Sequence, residues 1–283
     1  MKKLIIILFL QTFFITNAQK ELWGVNKGAD DSGINPLGYK GNITKFDING
    51  ENPTIIHEFI DVTMGKTPKG KLFLASNEKL YGITFEGGDS SFTPEGFGVL
   101  YEYDLILNKY KLVHNFQPLF GTNQPSFGVI EPITGKLFGS FGNHIYTYDF
   151  NTEVFSIVSG DTGGYGYVSN QLSMASTGFL YGTTNYISNC PGTNGNALNY
   201  GSVFKVNTIT NTIQTVYNFR CDWTDGINLN TTTGSFIETQ AGKLIGTVTS
   251  GFESANTING YIFEFDILTN TFSKKIDFDG VNE

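Results

Sequence analysis

Apolar residues along this chain fall in short blocks, often alternating with polar ones and separated by Gly, Asn, Asp and Thr. Nowhere do they recur at the three-and-four spacing of an amphipathic helix. The clearest set lies near the C-terminus. Residues 235–238 read as a first strand, Gln240-Ala241-Gly242 as a turn, 243–249 as a second strand and 260–266 as a third. Past Leu268-Thr269-Asn270, residues 271–278 read as a fourth. The third strand recurs at 98–104, 144–149 and 201–207, each ending on an Asp or Asn whose side chain can bond the turn backbone. The fourth strand closes on Phe59, Phe116, Phe219 and Phe278. The pattern is all-β.

These units are copies of one another. Lys79-Leu80-Tyr81-Gly82 returns as Lys136-Leu137-Phe138-Gly139, Phe179-Leu180-Tyr181-Gly182 and Lys243-Leu244-Ile245-Gly246, with a weaker copy at Glu21-Leu22-Trp23-Gly24. A repeat of this length built from four short strands predicts a β-propeller. The repeats run at about 19–59, 60–116, 117–158, 159–219 and 220–283, giving five four-stranded blades, the first without its innermost strand. Apolar residues on both faces of the second strand suit a blade covered on both sides, and its Gly is expected to let neighbouring blades approach closely. The repeats differ mainly in two loop types. One joins strand two to three (27–41, 86–96, 185–201, 250–260), and the other joins strand four to the next blade (60–68, 117–125, 220–234). In an antiparallel blade both emerge on one face, so that face is the expected recognition surface.

Composition narrows the partners. Net charge is −8 with few charged residues, which excludes a basic nucleic-acid footprint. Lys2 and Lys3, the apolar run 4–15 and Thr16-Asn17-Ala18 predict a signal peptide over 1–18, leaving 19–283 as one exported repeat domain. No further span is long enough to cross a bilayer, and a monomer is expected. The strand around Leu180-Tyr181-Gly182, the segment 201–206 (Gly-Ser-Val-Phe-Lys-Val) and the Val-Tyr-Asn-Phe close at 216–219 together resemble the GloVer-type tandem repeat of secreted bacterial proteins. That resemblance implies an exported, propeller-like protein and implies no particular chemistry. Such proteins often carry a C-terminal anchoring or sorting domain, and the expectation here is that none follows the repeats. Asp279-Gly280-Val281-Asn282 echoes Asp225-Gly226-Ile227-Asn228, which precedes another strand, so the chain is expected to stop within a repeat.

Candidate chemistry is sparse. Asp161-Thr162-Gly163 matches an aspartic-protease core but lacks the second copy a carboxylate dyad needs, and reads as a turn. His57 and His114 share one repeat position, later taken by Tyr217, which points to a structural role; His144 stands alone. Asp30-Asp31, Asp222 with Asp225, and Asp277 with Asp279 offer oxygens to calcium but fit no twelve-residue calcium loop, so turns are the favoured reading and no cofactor is expected. Cys190 and Cys221 lie in loops on the same face of the fourth repeat, where an exported chain could oxidise them to a disulfide or leave two thiols. Aromatic residues on the elaborated face include Phe92, Phe120, Tyr165, Tyr186, Trp223 and Phe252. Trp223, beside Asp222 and near Asp225, is the first choice for a ligand contact. The sequence therefore predicts an exported, non-catalytic module binding a glycan or protein on its long-loop face. A glycan-active propeller enzyme and a structural spacer are the alternatives.

Overall fold

The computed structural model describes residues 21–28, 41–118, 124–160, 167–184, 201–219, 235–248, 251–253, 256–258 and 260–278. Five antiparallel sheets follow one another along the chain. The first has three strands, β1 (Leu22–Asn26), β2 (Asn42–Phe46) and β3 (Thr54–Glu58). The second is β4 (Lys66–Leu74), β5 (Lys79–Glu86), β6 (Val99–Asp104) and β7 (Lys109–Asn115). The third is β8 (Ile130–Ile133), β9 (Lys136–Phe141), β10 (His144–Asp149) and β11 (Val154–Ile157). A short strand, β12 (Ser159–Gly160), then crosses to the fourth sheet, β13 (Ser173–Met174), β14 (Phe179–Thr184), β15 (Ser202–Asn207) and β16 (Thr212–Asn218), and pairs parallel with β16. The fifth is β17 (Ile237–Gln240), β18 (Lys243–Val248), β21 (Tyr261–Asp266) and β22 (Thr271–Asp277), with a hairpin β19 (Gly251–Glu253)–β20 (Asn256–Ile258) set between β18 and β21. This is the five-bladed propeller architecture of the sequence reading, and among the described residues the first blade has three strands.

Two expected boundaries differ. The connection placed at 60–68 contains a single 3-10 turn, Val62–Met64, after which β4 starts at Lys66. The loop placed at 250–260 holds the β19–β20 hairpin.

The repeated glycine has a different role from the one expected. Gly82, Gly139, Gly182 and Gly246 lie directly opposite Tyr101, Tyr146, Phe204 and Phe263 on the next strand of the same sheet. A Cβ at any of them would fall within 2.5 Å of that aromatic ring or its hydroxyl. The glycine thus makes room for its own blade's aromatic side chain rather than for a neighbouring blade. All four rings are buried, as a large apolar group folded back over its own strand should be. Gly24 in the first blade faces Thr44, and nothing lies within 4 Å of where its Cβ would be.

Other repeat positions act as expected. Asp104 Oδ1 accepts from the amides of Ile106 and Leu107 at 2.9 and 2.8 Å, and Asp149, Asn207 and Asp266 bind their turns in the same way. The closing phenylalanines sit one residue past their strands. The amides of Phe59, Phe116, Phe219 and Phe278 donate to the carbonyls of Gly41, Gly98, Gly201 and Gly260, tying strand four to the start of strand three.

Apolar layers between successive sheets hold the blades together. Ile43 and Phe59 meet Leu80, Val99 and Tyr101; Tyr81 and Phe116 meet Leu137 and Tyr146. Phe138 and Ile145 meet Leu180 and Phe204, and Tyr181 and Phe219 meet Leu244 and Phe263. A carboxylate clamp repeats at two junctions. Glu131 accepts from the Ser76 amide and hydroxyl in the preceding blade and from the Gly135 amide in its own. Glu238 accepts in the same way from Ser176 and Gly242.

The last blade is covered less well. Tyr81, Phe138 and Tyr181 are buried, while Ile245 at the same repeat position is half-exposed. Phe59, Phe116 and Phe219 are at most 2% exposed, yet Phe278 is 43% exposed and Ile276 54%. β18 and β21 alternate buried and half-buried residues, whereas β5, β6, β9 and β14 are buried almost without break. Among the described residues, the fifth sheet buries one face fully and the other only partly.

Candidate site on the long-loop face

Most of the ligand-contact residues expected from sequence (Tyr165, Tyr186, Asp222, Trp223 and Asp225) lie outside the described residues, as do Cys190, Cys221, Asp30, Asp31, Phe120, Asp279 and Asp161-Thr162-Gly163. Phe252 is placed in β19 opposite Thr257. Asp277 pairs with Lys274 at 3.0 Å. Both repeat-equivalent histidines serve packing between blades. His57 stacks on Tyr110 with ring centroids 4.4 Å apart, and His114 on Phe155 at 3.6 Å. Tyr217 stacks on Phe272 at the same kind of junction. Burial pushes the His114 imidazole down to about 4, and His57 moves in the same direction for the same reason. His144 opens β10.

On the long-loop face the described residues form a cavity of about 180 Å3. The C-terminal ends of β5 and β9 contribute Phe85 and Ser140-Phe141, followed by Gly142 in the short turn. The connection into β8 supplies Gln124, Ser126 and Phe127, and the connection into β13 supplies Tyr167 and Val168. Three blades therefore meet at this point. Local packing holds them close. A Cβ on Gly70 would strike the Gly128 amide at 2.5 Å, so β4 and the approach to β8 touch backbone to backbone. The Val168 amide donates to the Gly142 carbonyl at 2.8 Å, and Gln171 Nε2 reaches the Val129 carbonyl at 3.5 Å.

Lys69 borders the cavity. Its Nζ lies 4.2 Å from the centroid of the Phe85 ring and 3.4 Å from Ser126 Oγ. Burial, with repulsion from Lys27 as a second cause, lowers its pKa. Lys66, three residues earlier in β4, is paired with Glu86 at 3.5 Å.

A second feature of this face is the loop between β5 and β6. The Gly87 amide donates to the Glu95 carbonyl, the Gly98 amide to the Gly87 carbonyl, and the Gly88 amide to the Val62 carbonyl. Asp89 accepts from the Ser91 amide, and Asn115 Oδ1 from the Asp89 amide. Gly87, Gly88, Gly96 and Gly98 all have positive φ, which lets the chain fold back on itself so tightly. The result presents Phe92, 52% exposed, edge-on to buried Phe97.

The cavity lies among the long loops and includes Phe85, Phe127 and Tyr167, bordered by Lys69, none of which stood out in the sequence. Phe85 is near the end of β5 and Lys69 lies within β4, where they read as ordinary core or edge residues, while Phe127 and Tyr167 lie in connections that share no repeat. Among the described residues, no three His, Cys, Asp or Glu side chains converge as a metal site would require, and no helix is long and apolar enough to cross a membrane.

The chain matches no protein-family model and no curated protein. Its fold is shared with solved propeller structures. The GH74 enzyme of Niastella koreensis is 16% identical with a TM-score of 0.54, over 84% of this chain and 34% of that one. An oligogalacturonate lyase in complex with manganese is 10% identical with a TM-score of 0.52, over 84% and 60%. TolB from Acinetobacter baumannii is 13% identical with a TM-score of 0.46, over 84% and 50%. The chain thus spans half of TolB's length and 60% of the lyase's. At these identities the likeness is one of fold, and this chain is a β-propeller protein.

Proposed function

We propose that the protein is an exported, GloVer-type propeller that binds a glycan or protein ligand on its long-loop face and performs no chemistry on it. The observation that supports this reading is the cavity where three blades meet, with Phe85, Phe127 and Tyr167 beside the hydroxyls of Ser126 and Ser140 and the Gln124 amide. Rings that offer an apolar surface next to a few hydrogen-bonding groups suit a ligand with both kinds of surface, and a rigid scaffold displays them at little entropic cost. Export is supported by the N-terminal pattern of 1–18. The lyase and the GH74 enzyme show that this fold can carry glycan chemistry, but fold does not assign function. A glycosidase would need two carboxylates flanking the scissile bond, and the described cavity lining offers hydroxyls, an amide and rings in their place.

The test is a binding screen of the full chain against saccharides and extracellular proteins, repeated with Trp223→Ala and Tyr167→Ala on the long-loop face. Ile209→Ser, on an exposed turn at the opposite face, serves as the control. We expect at least one ligand whose affinity falls in the first two variants and holds in the third. Binding that ignores both long-loop substitutions would refute the proposal.

A further inference from the structure

Lys69 stands at the edge of that cavity. Among the described residues, neither Lys69 nor Lys27 lies within ion-pair distance of a carboxylate, whereas the neighbouring Lys66 is paired with Glu86. The Lys69 ammonium is held over the face of Phe85 and next to the Ser126 hydroxyl. Ring and hydroxyl orient the group without neutralising it. Lys69 is exposed overall, but partial desolvation and repulsion from Lys27 disfavour its charge, and the attraction of an incoming anion would offset both. In a chain of net charge −8 this is a local positive spot, so an acidic ligand repelled by the general surface would be drawn here.

We infer that this rim is an anion subsite, in which Lys69 receives the carboxylate or sulfate of an acidic saccharide whose ring lies against the cavity aromatics. The inference rests on the long-loop face being the recognition surface. A saccharide is favoured over a peptide because a peptide carboxylate is ordinarily held by a nest of backbone N–H groups. This rim presents an ammonium, hydroxyls and ring faces.

The test is calorimetric titration of the full chain with short oligosaccharides of one linkage in three forms: uronate, sulfated and neutral. A tripeptide with a free C-terminal carboxylate is run beside them. One acidic form should bind about tenfold tighter than the neutral form, the size expected of a single charge-assisted contact, and which one it is tells carboxylate from sulfate. Lys69→Gln should remove that preference. Lys71→Gln, an equal charge change at another exposed position of β4, should retain it. Thermal melts of both variants check that they fold. An acidic-to-neutral ratio unchanged by Lys69→Gln overturns the inference, as does failure of every acidic saccharide to bind or tighter binding of the tripeptide. If neutral saccharides bind as well as acidic ones and Tyr167→Ala abolishes that binding, the recognition face stands and the anion subsite falls.

Discussion

A single methyl group distinguishes the repeat's central glycines from the one that merely resembles them. At Gly82 a Cβ would sit 2.3 Å from the Tyr101 hydroxyl oxygen and 2.4 Å from the ring carbon bearing it, both fully buried. The ring has little room to retreat, because Phe59 packs edge-on against it from the first blade and Tyr110 stacks on it from its own blade. Gly82→Ala should therefore cost about 3 kcal/mol, at the upper end of what overpacking a core costs. Gly24→Ala should change stability by no more than about 0.5 kcal/mol, as substitutions away from such features do. Urea unfolding of both variants checks this. Equal losses would mean that the glycine serves some purpose other than making room for the ring. At this scale the sequence was only partly legible. The glycine was visible as a repeat, but its partner lies between 7 and 22 residues further on, and only the strand register brings the two together.

Between elements, the junctions of the first three blades carry a dependence on pH. His57 and His114 are each stacked flat on an aromatic ring of the next blade, and burial disfavours their charged forms. In the unfolded chain an imidazole titrates near 6.5, whereas folded His114 titrates near 4. Between those values the unfolded chain binds the extra proton. Stability is therefore complete above about pH 6.5 and declines as pH falls toward 4. Carboxylates act in a lower window. Asp266, held down to about 2 by its hydrogen bond from Lys243 and by turn amides, loses its contribution only as pH falls below its ordinary 3.8. Thermal melts from pH 7 to 4 should show a falling Tm for the native chain and a flatter profile for His114→Phe, which keeps the stack and removes the titration. Parallel profiles would count against this account. The shared position of the two histidines was legible in the sequence. The Glu131 and Glu238 clamps were not singled out, although Ala75-Ser76 and Ala175-Ser176 recur, as does the spacing from each Glu to Gly135 and Gly242.

Across the whole molecule, fold class and blade number could be read because the second and third strands repeat in order with their turn residues. Loop chemistry could not. The long connections have no repeat to average over, so Phe85, Phe127, Tyr167 and Lys69 come together only through the packing of three blades. The uneven covering of the fifth sheet follows from the same stacked design. When each unit leans only on its neighbours, stability is a sum of intrinsic terms and junction terms. A unit with one partly covered face has one weaker junction term. Amides of β21 and β22 should accordingly exchange with deuterium at a lower opening free energy than those of β5 and β6, and uniform protection would contradict this. Melting of a structure so built should start at the less covered fifth sheet, where Ile276 and Phe278 are half-exposed. One midpoint temperature would then merge a fraying end with a more resistant middle, and calorimetry should record a transition broader than a single cooperative unit allows.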